Sequence, residues 1–136
     1  DVLSNLKHNN YLPYVMAALK AKKEKWNDVV VLNSFGRVCD ATIANIFLVK
    51  NEIIYTPTSS EGCVAGVVRE YLIRKLSDYG FTCIEKEITI EELLTANEVF
   101  LTNSIYNMRW VQRINDTVFT NTVAQKIYAA VMPTIL

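Results

Sequence analysis

The sequence has no excess of charge of either sign: 14 lysines and arginines stand against 14 aspartates and glutamates. A nucleic-acid surface working by bulk phosphate neutralisation needs a basic surplus, so that class is excluded, whereas small anionic ligands are not. No run of about 18 apolar residues occurs, which leaves no candidate membrane-spanning helix. A single histidine, His8, excludes a multi-histidine metal centre. Cys39, Cys63 and Cys83 are odd in number and far apart, which fits reduced thiols better than a disulfide framework or a zinc site, and no metal is expected. With four glycines, neither G-x-G-x-x-G nor G-x-x-x-x-G-K-[ST] is present. The segment Asp1 to Lys7 has no basic stretch followed by an apolar run and a cleavage site, so a soluble, cytoplasmic protein is expected. Its first residue is Asp1 and not methionine, as in a piece of a longer chain.

What is present is a core. Apolar residues make up 51% of 136, the size of one domain and far from a disordered composition. Pro13 followed by Val15, Ala18, Leu19 and Lys22 near one face predicts a helix from about 12 to 26. The β-branched run Asp28 to Asn33 reads as a buried strand closed by a turn at Ser34 to Arg37. Residues 46–50 and 53–56 read as a hairpin around Asn51-Glu52, a weaker turn dipeptide than Asn-Gly. The polar stretch Thr56 to Gly62 reads as a loop. After it an amphipathic helix is expected over 66–79, stopped by Gly80. A strand from Phe81 to Ile88, a short helix capped by Thr89, and a strand over 98–102 follow. Two more strands flank Asn115-Asp116, and a last helix over about 121–131 ends before Pro133. Hairpins mixed with helical crossovers predict a mixed α/β (α+β) fold on a mixed sheet, not a doubly wound parallel one.

Four places can carry chemistry. Gly66 precedes a helix, where unpaired N–H groups and a partial positive charge favour an anion and a glycine admits a phosphate close to the backbone; a glycine there can equally be structural. Asp40 lies between apolar and small residues, either a half-buried carboxylate needing a cationic partner or a solvated edge or Asx turn. Lys7, near Tyr11, is either a solvated lysine or an amine able to attack an aldehyde once its environment lowers its pKa. The strand Phe100 to Thr102 runs into Asn103 and Ser104, which can offer hydroxyl and N–H groups to a carboxylate or phosphate, or form a plain turn.

Together these segments resemble the class IV aminotransferases, the fold-type IV pyridoxal-phosphate enzymes. The group includes branched-chain aminotransferases, D-amino acid aminotransferases and 4-amino-4-deoxychorismate lyases. Gly36 to Phe47 is similar to the family's G-x-V-x-E-x-x-x-x-N-[IL]-F. Thr56-Pro57 and Gly66-Val67-Val68-Arg69 follow at the family's distance, the latter similar to G-[IV]-[TS]-R. Ala96 to Thr102 is similar to A-[DN]-E-[VA]-F-x-[TS].

The resemblance implies the large C-terminal domain over 1–136, a mixed-sheet pseudo-barrel with flanking helices, with the smaller N-terminal domain not among these residues. It implies pyridoxal 5′-phosphate as cofactor, an amino acid or aminodeoxychorismate as substrate, and a homodimer. Lys7 falls where the family keeps the lysine of the internal aldimine, and Tyr11 where a tyrosine contacts the cofactor's phenolic oxygen. Asp40 takes the place of the glutamate at the pyridine nitrogen. Gly66, Val67 and Val68 match the phosphate cradle, and Asn103 and Ser104 the strand-end residues serving phosphate and substrate carboxylate. Two positions depart from the pattern: Asp40 is one methylene shorter than glutamate, and Val68 replaces a hydroxyl residue. These departures motivate the alternative expectation of a non-catalytic or truncated domain keeping the fold for ligand binding or assembly.

Overall fold

A computed structural model describes residues 15–21 and 27–135. Its elements run β1 (Val15–Ala21), β2 (Asn27–Leu32), β3 (Val38–Ala41), β4 (Asn45–Lys50), β5 (Ile53–Pro57), α1 (Val67–Lys75), β6 (Thr82–Lys86), α2 (Ile90–Leu94), β7 (Glu98–Asn103), β8 (Asn107–Ile114), β9 (Thr117–Val118) and α3 (Thr122–Ala130). No described helix is long and apolar enough to cross a membrane.

The strands form one mixed sheet in the order β3-β2-β1-β8-β7-β4-β5-β6, with β9 paired to β8. Every pairing is antiparallel except β5 with β6, the pair joined through α1, as a parallel pair requires a crossover. The sheet curls until its two ends meet: the Val38 N–H at the start of β3 donates to the Ile88 carbonyl just past β6, at 2.8 Å.

Alternation along the strands buries both faces. Ile46, Leu48, Val99 and Leu101 point into a cluster with Val30, Leu32, Val38, Val111 and Ile114 on the concave side, closed by Leu93 of α2. Phe47, Val49 and Phe100 point the other way, under Val68 and Leu72 of α1 and Ala124 and Ile127 of α3. Phe47 and Phe100 face each other in register and stack with ring centroids 4.9 Å apart.

Local signals explain the boundaries. Asn51 and Glu52 both take positive φ, 52° and 67°, as a two-residue hairpin turn demands. A short 3₁₀ turn over Leu76–Tyr79 extends α1 and ends at Gly80, whose φ of 87° lets its N–H return to the Leu76 and Ser77 carbonyls. Thr89 and Glu92 cap the start of α2 reciprocally.

The expected helix over 12–26 is corrected where the structure describes it. Val15–Ala21 is a strand, paired with β2 on one side and β8 on the other. A segment rich in alanine and lysine favours helix by weak intrinsic propensity, and two flanking strands with open hydrogen-bonding edges outweigh that preference. Positions 12–14 and 22–26 lie outside the described residues. The expectation also passed over β3, a four-residue strand buried throughout and too short to show a period.

Candidate functional site

The β3–β4 connection is tight. Ala41 donates its N–H to the Ala44 carbonyl at 2.9 Å, so Asp40 and Asn45 stand on either side of a four-residue reversal. Asp40 is 1% exposed, which overturns the solvated-edge and Asx-turn readings. Its Oδ1 accepts from the Asn45 Nδ2 at 2.9 Å, and its Oδ2 from the Val64 N–H at 2.8 Å. Both partners are neutral. Desolvation therefore dominates and pushes the Asp40 carboxyl up to about 8, against the pull of these two hydrogen bonds and, more weakly, of the Arg69 charge. No cation bonds it directly among the described residues, although the sequence had suggested that a buried carboxylate there would need one.

Asn45 connects this acid to the start of α1. Its second Nδ2 hydrogen bond goes to the Val64 carbonyl at 2.6 Å, and its Oδ1 lies against Gly66, where an added Cβ would collide with it. Gly66 is the N-cap of the nine-residue α1, and no side chain caps the N–H groups of its first turn. Val67 is 73% exposed at that turn, while the Val68 side chain is buried among Phe47, Leu72 and Phe100, so Val68 can offer a ligand only its backbone.

Asn103 ends β7 at the same end of the sheet. Its Nδ2 donates to the Ile43 carbonyl in the β3–β4 turn at 3.0 Å, and its Oδ1 accepts from the N–H groups of Ile105 and Tyr106. This ties the β7–β8 tip, with Ser104 exposed on it, to the loop beside Asp40. Of the residues expected in the site, Asp40, Gly66, Val67, Val68, Asn103 and Ser104 thus gather at one end of the sheet. Lys7 and Tyr11 lie outside the described residues.

Sequence reasoning missed three supports. Asn45 stands in the sequence only as one position of the Gly36–Phe47 motif, and its spacing of five from an acid across two alanines is the signal that a reversal would bring the two side chains together. Glu61, in the stretch read as a polar loop, is 4% exposed and takes the Arg37 Nε at 3.0 Å and the Asn33 Nδ2 at 2.5 Å, pinning that loop to the β2–β3 turn. Arg69, 2% exposed, bonds the Pro57 carbonyl and the Glu85 carboxylate, each at 3.0 Å, and also pairs with Glu70. It locks α1 onto the end of β5. No local pattern reveals buried charges such as these.

Comparison with known proteins agrees with this architecture. The family described as amino-transferase class IV matches residues 1–114. Aminodeoxychorismate lyase of Vibrio harveyi is 33% identical over 114 residues, 84% of this chain and 42% of that protein. A putative branched-chain-amino-acid aminotransferase of Methanocaldococcus jannaschii is 31% identical, over 89% of this chain and 42% of its own length. Among solved structures, the branched-chain aminotransferase of Thermoproteus uzoniensis, crystallised with norvaline, superposes with a TM-score of 0.72 at 31% identity, covering 75% of this chain and 35% of that one. The chain spans about two-fifths of the length of these two curated relatives. A match running through β1 to β8, with the curled mixed sheet reproduced in a relative of known structure, establishes that the chain belongs to the class IV aminotransferases.

Proposed function

We propose that this chain is the cofactor-binding domain of a pyridoxal-phosphate enzyme acting on amino acids, either by transamination of branched-chain amino acids or by pyruvate elimination from aminodeoxychorismate. The observation that carries this reading is the joining of Asp40 to Gly66 through one buried amide. The residues fit the cofactor on two counts. Gly66 opens a helix whose first-turn N–H groups no side chain caps, as a backbone phosphate cradle requires. Asp40 is a buried carboxyl with only neutral donors, and a pyridinium N–H is the partner that would restore its ionised form.

In this reading Asp40 holds the ring nitrogen and the backbone of Gly66, Val67 and Val68 holds the phosphate. Asn103 and Ser104 serve the phosphate and the substrate carboxylate. Bound pyridoxal phosphate supplies an electron sink for the pair left when a proton departs the substrate's α-carbon. The Lys7 Nζ is the amine assigned to bind the cofactor and to move that proton, and Tyr11 to contact the phenolic oxygen, both on the strength of the motif match. Homodimerisation, or packing against a further domain, belongs to the same reading. It is supported by the exposed apolar residues Ile43, Val64 and Ile105 on the loops around Asp40 and Gly66, and by Val67 at the start of α1. A cytoplasmic setting is supported by three unpaired thiols. The relatives are named as enzymes, which does not favour a non-catalytic domain.

The test is spectroscopic. Pyridoxal phosphate added to the purified protein is expected to give a visible band that Lys7→Ala abolishes. Folded protein without a band would overturn the assignment. Pyruvate release from aminodeoxychorismate, assayed beside leucine transamination by the intact protein, separates the two activities.

A further inference from the structure

The acid on β3 and the first turn of α1 come from different parts of the chain, and a single side chain touches both. Asn45 is 4% exposed and has a place for every atom of its amide. One N–H goes to the Asp40 Oδ1, the other to the Val64 carbonyl, and the oxygen abuts Gly66. The Val64 N–H closes the circuit on the Asp40 Oδ2. Beneath it, Thr102 stands opposite Asn45 in the β4–β7 register, fully buried, with no hydrogen-bond partner for its hydroxyl. The segment 63–65, between the Glu61 anchor and α1, is held by Asn45 and Asp40 at Val64 and by the Cys63 thiol on the Pro57 carbonyl.

We propose that Asn45 is the positioning residue that fixes the separation between the Asp40 carboxylate and the backbone N–H groups opening α1, so that the two ends of a phosphorylated pyridine are registered by one amide. This deepens the function proposed above and rests on it. Asp40 alone bonds Val64, two residues short of Gly66, and leaves the path from Val64 into the helix free to turn. Contact of the Asn45 oxygen with Gly66 restricts that freedom, and while Asn45 keeps its place it excludes a larger residue at 66 for a steric reason independent of any ligand.

The experiment compares the intact wild-type protein with Asn45→Ala, Asn45→Ser, Gly66→Ala and the double variant Asn45→Ala/Gly66→Ala. It measures pyridoxal phosphate affinity, inorganic phosphate affinity by calorimetry, and the pH midpoint of the visible band. Asn45→Ala and Gly66→Ala are each expected to weaken both ligands by about tenfold or more, a loss on the scale of one well-placed hydrogen bond. The double variant is expected to bind better than Gly66→Ala, because the colliding atom is gone, and so to depart from additivity. The band's midpoint is expected to shift in Asn45→Ala, less in Asn45→Ser, and not in Glu98→Gln, which weakens the fold at the far end of β7. Should Asn45→Ala fail to fold, Asn45→Ser carries the comparison. Wild-type binding with unchanged Asn45 variants, or additive losses in the double variant, overturns this inference and leaves the function standing. No binding by folded wild-type protein overturns the function itself.

Discussion

The Glu98 carboxylate, at the first residue of β7, accepts the Ala124 N–H of α3 at 2.8 Å through Oε1, while its Oε2 takes the Val123 N–H at 2.8 Å. A strand residue thereby caps a helix 25 positions later in the chain, satisfying two N–H groups and placing a negative charge at the positive end of the helix. Glu98 is 2% exposed, so its carboxylate, and not bulk water, satisfies these donors in the folded protein. Glu98→Ala is expected to lower stability by about 2–4 kcal/mol, with Glu98→Gln intermediate, since it keeps one acceptor and loses the charge. A shift of the urea midpoint at unchanged slope is the measurement.

The turn at Asn51-Glu52 holds a second prediction. Glu52 sits at φ 67°, a left-handed conformation that costs a residue bearing a Cβ more than it costs glycine. Glu52→Gly makes the turn Asn-Gly and is expected to raise stability by about 0.5–1 kcal/mol despite the greater entropy of the unfolded chain. A lower thermal midpoint would refute the assignment of strain to this residue.

Asp40 predicts a pH dependence of the ligand-free protein. Its folded-state pKa of about 8 lies above the ordinary carboxyl value, so the folded state binds the proton more tightly than the unfolded chain does. Its contribution to stability is therefore complete at acid pH, falls as pH rises from about 4 toward 8, and levels off above that. The slope is at most about 1.4 kcal/mol per pH unit. Asp40→Asn is expected to remove this component, so the difference between the two stability profiles isolates it. A difference that does not vary between pH 4 and 8 would contradict the assignment.

The thiols predict their own reactivity. Cys39 and Cys63 are buried beside Val31, and burial pushes their pKa values up to about 12 and 11, so almost no thiolate exists at neutral pH. Cys83, on β6, is pushed up to about 11 as well but is only half-buried, so access and not thiolate content sets it apart. Thiol reagents are expected to reach Cys83 first in native protein, and Cys39 and Cys63 only at the rate of unfolding. Fast native labelling of Cys39 would show that its strand opens locally.

Much of the fold was legible along the chain because its signals are local. The 45–57 hairpin, the capped helix at Thr89, the Gly80 stop and the last helix each follow from residues within a few positions of one another. That Asp40, Gly66 and Asn103 would share a site was an expectation of the family resemblance, since no local signal links residues so far apart in the chain. Val15–Ala21 was not legible, because its three alanines, Leu19 and Lys20 suit a helix until β2 and β8 present edges to pair with. Glu61, Arg69 and Glu98 were unreadable for a related reason: a charged side chain reads as solvated until the chain 24, 12 or 25 residues away supplies its partner.

By itself, then, the sequence determined which residues could do chemistry and in what order they occur, since residue type and short-range spacing are properties of the chain. Only the tertiary structure decided that Asp40 is buried among neutral donors, and that Asn45 bridges it to the helix at Gly66. Desolvation and contact between segments about 20 residues apart exist only after the sheet has curled and closed on itself.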